Sequence, residues 1–110
     1  MFDIVIIGAG IVGLAIARSI AEKTDKSVLV IEKEESFGRG ISSRNSEVIH
    51  SGIYYEPESL KAKYCTHGRD MTYKFCEQYN IWVNQCGKIV VGNSHQLDGL
   101  EALYKNAQNI

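Results

Sequence analysis

The fold of this chain is decided by the stretch Asp3-Ile4-Val5-Ile6-Ile7-Gly8-Ala9-Gly10-Ile11-Val12-Gly13-Leu14-Ala15-Ile16-Ala17. A strand-like apolar run leads into G-x-G-x-x-G, and a helix-like apolar run leads out of it. Gly8 permits a tight turn, Gly10 lets a ligand approach the backbone, and Gly13 lets the helix pack closely on the strand. Free N–H groups at the start of such a helix favour a pyrophosphate. The stretch predicts a strand over about residues 3–7 and a heavily buried helix over about 10–23.

A second strand-like run, Ser27-Val28-Leu29-Val30-Ile31, follows the helix and ends on the acid Glu32. An acid about 20 residues after the glycines bonds the ribose of a bound adenosine and disfavours a 2′-phosphate. Because a crossover helix joins the two runs, we expect them to pair in parallel. Two alternatives stay open here: a solvated acid at the end of a strand, and a glycine-rich turn that binds nothing.

Composition excludes several classes of function. The chain has 110 residues, of which 12 are basic and 13 acidic, so no net field attracts nucleic acid or an anionic membrane. Its apolar run Ile4–Ile7 is far too short to span a bilayer, and the first strand begins so close to Met1 that we expect no targeting segment and a cytoplasmic protein. Cys65, Cys76 and Cys86 lack the spacing of a disulfide or metal framework and predict reduced, buried thiols and no metal site.

The rest of the chain predicts more helix and one more strand. Ser59 is placed to cap an amphipathic helix over about 59–80, in which Gly68 predicts the close approach of another backbone. The alternation over Trp82–Gly92 predicts a strand or a tight hairpin, and spaced leucines predict a final helix after Leu97. A dinucleotide-binding sheet has about six strands, and only two are found, so we expect the N-terminal part of a larger protein.

The most specific segment is Ser43-Arg44-Asn45-Ser46-Glu47-Val48-Ile49-His50-Ser51-Gly52-Ile53-Tyr54-Tyr55. It is dense in small polar side chains, and Ser42 or Ser43 is expected to cap a short helix there. Together with the glycine motif, Glu32-Lys33, Ser59-Leu60-Lys61-Ala62-Lys63 and Cys86-Gly87-Lys88-Ile89, it resembles the N-terminus of the FAD-dependent L-2-hydroxyglutarate oxidase/dehydrogenase group of the D-amino-acid-oxidase-like (DAO) flavoprotein superfamily. The resemblance covers essentially the whole chain.

The resemblance implies an α/β fold. Residues 1–80 would form the N-terminal part of a Rossmann-like FAD-binding domain built on a βαβ unit. Residues 81–110 would begin a substrate domain, with helices and a strand or hairpin leading into it. The implied reaction takes a hydride from a small 2-hydroxy acid, foremost L-2-hydroxyglutarate, and gives the 2-oxo acid and reduced flavin. Oxygen or a quinone would then accept the electrons, and the cytoplasmic full-length parent would lie peripheral to the inner membrane.

The resemblance also implies a set of site residues. His50 and Arg44 are the catalytic candidates. His50 would move a proton or tether the flavin, or it is a structural residue; Arg44 would stabilise reduced flavin or a substrate carboxylate, or it makes a surface salt bridge. The residues implied to bind FAD are Gly8, Gly10, Gly13, Glu32, Lys33, Ser42, Ser43, Asn45, Ser46 and Gly52.

Two alternatives to this function stay open. An FAD-dependent glycerol-3-phosphate dehydrogenase has a similar Ser-Ser-x-x-Ser…Ile-His-x-Gly stretch, although Asn45 and the run Gly52–Tyr55 favour the hydroxyglutarate branch. The other alternative is a truncated, non-catalytic remnant that self-associates through exposed strand edges.

Overall fold

The computed structural model describes residues 1–110, which divide into two compact units, Met1–Val48 and Ile49–Ile110. The first unit holds β1 (Ile4–Ile7), α1 (Ile11–Lys23), β2 (Val28–Ile31) and a short 3-10 helix (Gly40–Ser43). The second unit holds α2 (Leu60–Gln78), a short 3-10 helix (Ser94–Gln96) and α3 (Leu97–Ala107). None of the helices combines the length and the hydropathy that a membrane span requires.

The first unit is the predicted βαβ unit. β1 and β2 pair in parallel, with Ile4 opposite Val28 and Ile7 opposite Ile31. The residues that precede the two strands are joined by a contact that the sequence does not predict. The backbone N–H and the hydroxyl of Ser27 both donate to the Asp3 carboxylate, at 2.8 and 2.6 Å. The hydroxyl bond, and then the backbone bond, lower the pKa of Asp3. The prediction of two parallel strands joined by a helix is therefore confirmed.

The predicted heavy burial of α1 is wrong for this chain. Ile11 and Val12 each remain 69% exposed, and Ile7 at the end of β1 is 88% exposed. Ala9, in the turn between β1 and α1, is the one buried residue of this unit. A sheet of two strands is too narrow to cover a helix that is apolar on more than one face, so much of the apolar surface stays in contact with solvent.

The second unit confirms the capped amphipathic helix. The Ser59 hydroxyl accepts the Ala62 N–H at 3.1 Å, and α2 begins at the next residue. All three cysteines are free thiols, but only Cys76 is buried and Cys86 is exposed, so the expectation of three buried thiols is wrong. A Cβ on Gly68 would meet nothing within 4 Å, which contradicts the expected close approach of another backbone.

The strand or hairpin predicted over Trp82–Gly92 is also wrong. Residues 81–93 contain neither strand nor helix. Gly87 has φ +74°, but neither a turn nor a ladder of hydrogen bonds forms around it. Alternation of apolar and polar residues fits a pleated surface, yet a strand exists only where a second strand satisfies its backbone groups. The final helix is observed as α3.

Candidate nucleotide-binding site

The turn between β1 and α1 depends on glycine at two of its positions. Gly8 has φ +103°, a conformation that L side chains rarely adopt, and its N–H donates to the Ile31 carbonyl at 2.7 Å. A Cβ on Gly13 would overlap the Gly8 carbonyl oxygen. The first turn of α1 therefore sits directly on the end of β1, as the glycine pattern predicts.

Glu32 lies against this turn. One carboxylate oxygen accepts the Ala9 N–H at 2.7 Å, and the other accepts the N–H groups of Lys33 and Glu34 at 2.8 and 3.0 Å. The bonds from Glu34 and then Ala9 hold the pKa of the Glu32 carboxyl below its usual value, so the side chain stays ionised at neutral pH. A carboxylate has about four acceptor positions, so these three bonds leave room for a ribose hydroxyl. Ribose binding by Glu32 stays a prediction.

The amide chemical shifts of Ala9 and Glu34 are expected to change together as the Glu32 carboxyl takes up a proton. Their shared midpoint should lie below 4.5, the ordinary pKa of such a carboxyl. Because the pKa is lowered in the folded chain, the stability that these bonds contribute is present above the ordinary value and is lost as pH falls through the lowered one. Amide chemical shifts followed by NMR during acidification measure the midpoint. Glu32→Gln should abolish the shared titration and Glu35→Gln should leave it; a midpoint at or above 4.5 would contradict the assignment.

Ser42 caps α1 rather than a helix of its own. The sequence predicts that Ser42 or Ser43 caps a short helix, but both lie inside the 3-10 helix Gly40–Ser43. The Ser42 hydroxyl accepts the Ile11 N–H, the first of α1, at 2.9 Å. The N-cap residue Gly10 provides no side-chain bond, and a Cβ there would lie 3.0 Å from the Ser42 hydroxyl oxygen. Because Gly10 has no side chain, the Ser42 hydroxyl of the 3-10 helix has room to cap α1.

Replacing Ser42 with alanine is expected to lower the free energy of unfolding by about 1 kcal/mol, the ordinary cost of losing a helix N-cap. Ser43→Ala is the matched control, because its hydroxyl donates only to the Gly40 carbonyl, at 2.9 Å, within the same short helix. Chemical denaturation of the two variants measures the difference. Equal losses would show that the Ile11 contact does not stabilise α1.

The start of α1 still offers donors to an anion. The first helical bond runs from the Leu14 N–H to the Gly10 carbonyl, at 3.0 Å. The N–H groups of Gly10, Val12 and Gly13 have no acceptor in the chain. No acidic residue lies in the first turn of α1, so the positive end of the helix dipole is not neutralised there. Free N–H groups at the start of a helix suit a pyrophosphate, and its binding here stays a prediction.

The loop after the short 3-10 helix is folded by its own side chains. The Asn45 amide donates to the Ser42 carbonyl at 2.8 Å and accepts the Glu47 N–H at 2.7 Å. Both polar groups of Asn45 are therefore committed within the loop, and its direct contact with FAD stays a prediction. Through these two bonds, Asn45 holds the backbone between Ser42 and Glu47.

The neighbouring candidates in this loop remain open to solvent. Arg44 is exposed and makes no ion pair, so the alternative of a surface salt bridge is not observed. Ser46 is exposed as well. Outside this loop, the Lys33 ammonium lies 3.5 Å from the Glu34 carboxylate, and the Lys33 side chain remains 87% exposed.

His50 and Gly52 belong to the second unit. Gly52 is buried with φ +97°, and a Cβ there would lie 3.0 Å from the Thr66 methyl carbon, so both conformation and packing favour glycine. The His50 side chain is exposed and has no hydrogen-bond partner. A structural role for its imidazole is therefore not observed, and its action on a ligand stays a prediction.

The model of the DAO family, described as FAD dependent oxidoreductase, matches residues 3–110. The chain belongs to the DAO family. It is similar to proteins named "L-2-hydroxyglutarate dehydrogenase, mitochondrial": 48% identical to that of Arabidopsis thaliana over 92% of this chain, and 50% identical to that of Homo sapiens over 98% of it. A relative of the same name from Nematostella vectensis is 43% identical over 97% of the chain.

The comparisons confirm the predicted family and its FAD dependence, and they correct one prediction. This DAO-family chain spans 21% of the length of the plant relative and 24% of the human one, at their N-terminal part. The expectation of a cytoplasmic protein is wrong, because these relatives are named as mitochondrial.

Proposed function

We propose that this DAO-family chain forms the nucleotide-binding start of an FAD-dependent dehydrogenase that oxidises a 2-hydroxy acid, foremost L-2-hydroxyglutarate. The observation that carries the proposal is the identity of 48–50%, over more than nine-tenths of the chain, to plant and human proteins of that name. The geometry supports the cofactor half of it, since the start of α1 is built to accept an anion. Residues 1–80 would belong to the FAD-binding domain, and residues 81–110 would begin the substrate domain.

The residues present fit the phosphate and adenosine parts of FAD. The free N–H groups of Gly10, Val12 and Gly13 would donate to the pyrophosphate, and the ionised Glu32 would accept from the ribose. Ser42 holds the first turn of α1 in place while leaving those three donors free. The exposed Lys33, Ser43, Asn45 and Ser46 would lie along the cofactor, and Gly52 near its ring.

When bound, the flavin supplies the hydride acceptor, and the protein supplies orientation and charge. Arg44 is exposed and unpaired, so its guanidinium can pair with the substrate carboxylate through two parallel hydrogen bonds. His50 would take the proton from the substrate hydroxyl as the hydride leaves the carbon that bears this hydroxyl. Loss of one hydride and one proton turns the 2-hydroxy acid into the 2-oxo acid. Oxygen or a quinone would take up the electrons.

A chimera tests the proposal, with this chain in place of the matching segment of the human relative. Turnover is measured with L-2-hydroxyglutarate, D-2-hydroxyglutarate and glycerol 3-phosphate in the presence of an artificial electron acceptor, beside the unaltered human protein. We expect bound flavin and turnover of the L-hydroxy acid only. A folded chimera that lacks bound flavin would contradict the proposed role of this chain in holding FAD. A folded chimera that binds flavin and turns over none of the three would favour a non-catalytic remnant.

A further inference from the structure

The segment His50–Tyr55, here called the 50–55 segment, is tied to α3 by one side chain. The Asn106 amide nitrogen donates to the Ile53 carbonyl at 2.6 Å and to the Tyr55 carbonyl at 3.0 Å. Both hydrogens of the amide are thereby used on two backbone groups that lie about half the chain away in sequence. We propose that Asn106 is a positioning residue, which fixes the 50–55 segment in the conformation that its proposed work on a ligand requires.

Three further contacts distinguish Asn106 from the other groups that hold this segment. The Cys65 thiol lies 3.5 Å from the His50 carbonyl, and the Arg69 guanidinium lies 3.3 Å from the Ser51 carbonyl. The thiol is a weak donor, the Arg69 contact is long, and each group reaches a single carbonyl. The Tyr55 N–H closes a turn onto the Gly52 carbonyl at 3.0 Å. Asn106, in contrast, donates short hydrogen bonds to two carbonyls of the segment.

The orientation of the Asn106 amide is decided by its surroundings. Its oxygen is buried and has no hydrogen-bond partner. A flipped amide would turn that oxygen toward the carbonyls of Ile53 and Tyr55 and would lose both bonds. Leaving the buried Asn106 oxygen without a hydrogen bond costs free energy. The flipped amide would cost more, because it would lose both bonds and face two carbonyl oxygens with a third.

The two bonds flank Tyr54 and hold the backbone that carries its side chain. Tyr54 is 56% exposed, while Ile53 and Tyr55 on either side are half-buried. Four residues earlier, the same segment begins with the exposed His50. Side chains held on a fixed backbone lose little conformational entropy when they meet a ligand, which is the physical benefit of such a support. The effect of Asn106 on turnover rests on the proposed function, whereas its support of the 50–55 segment does not.

Hydrogen exchange on the 110-residue chain tests the support directly. In Asn106→Ala we expect the Tyr55 backbone amide to exchange about tenfold faster, as the loss of two part-buried hydrogen bonds to its segment implies. Asn109→Ala is the matched control, because the Asn109 side-chain amide donates to the Lys105 carbonyl of α3, at 3.0 Å, and to no group of the 50–55 segment. Unchanged exchange at Tyr55 in the Asn106 variant would overturn the proposal, whether or not the chain is catalytic.

The pH dependence of turnover in the chimera tests the positioning role. Asn106→Asp places a carboxylate against two carbonyl oxygens at neutral pH, whereas its protonated form can donate one hydrogen bond. We expect kcat to fall about tenfold at neutral pH with flavin content unchanged, and to recover partly toward pH of about 5. Asn109→Asp should follow the unsubstituted chimera at every pH. Equal pH profiles for the two variants in an active chimera would overturn the positioning role. A folded chimera that is inactive without substitution would overturn the proposed function instead, and hydrogen exchange would still decide on Asn106.

Discussion

Replacing Gly13 with alanine is expected to abolish flavin binding by the chimera and to destabilise its N-terminal unit by about 3 kcal/mol, as severe overpacking does. The new Cβ would overlap the Gly8 carbonyl oxygen, and this atom belongs to the backbone and cannot swing aside. Since Gly8 is itself bonded to the Ile31 carbonyl, α1 would have to move off the end of β1. That movement would displace the N–H groups of Gly10 and Val12, which are the proposed pyrophosphate donors.

Gly68→Ala is the matched control for this substitution. Gly68 lies inside α2, where a Cβ would meet nothing within 4 Å. Alanine is the better helix former, so this variant should gain about 0.5–1 kcal/mol and bind flavin normally. Flavin content of the purified chimera and its thermal unfolding measure both effects. Full flavin content in the Gly13 variant would show that the close approach of α1 to β1 is not required.

The elements of this fold could be predicted wherever the signal was local. The glycine turn, both strands of the βαβ unit and the helix that follows Ser59 were expected within one or two residues of where they lie. Each of them is indicated by a signal within a short stretch of sequence. The signal is the period of the hydrophobic residues, a capping residue, or a glycine at a position where the backbone needs one. The same local logic failed over Trp82–Gly92, because a strand depends on a partner that no local pattern reports.

The contacts that shape the candidate site could not be predicted, because they join residues far apart in sequence. The sequence predicts that Ser42 or Ser43 caps a short helix, yet the Ser42 hydroxyl accepts the N–H of Ile11, 31 residues earlier. Asn106 reaches back to Ile53 and Tyr55, and no signal near any of these residues announces the contact. A hydroxyl or an amide marks a capacity for hydrogen bonding, whereas the partner is chosen by the packed chain. The sequence therefore predicts the type of site, and the structure shows which distant residues hold the candidate residues in place.

The isolated 110 residues are expected to bind FAD weakly, to show no dehydrogenase activity and to self-associate. Ile7 and Val12 remain 88% and 69% exposed, beside a sheet of two strands with unpaired edges. Such edges and apolar faces favour association between copies of the chain. Val5→Lys, at an exposed position of β1, should reduce this association, which light scattering over a range of concentrations measures.

The weak binding and the lack of turnover have a separate physical cause. The N–H groups at the start of α1 can hold a pyrophosphate, but binding the flavin ring also needs walls that orient it and exclude water. The chain spans 21–24% of the length of its plant and human relatives, so most of the surface that could enclose the ring and the substrate lies outside these residues in such proteins. Without that enclosure, a 2-hydroxy acid would not be held within reacting distance of the flavin. Titration with FAD and an assay with L-2-hydroxyglutarate, run beside the chimera, test this expectation. A stoichiometric yellow complex with sustained turnover by the 110 residues alone would contradict it.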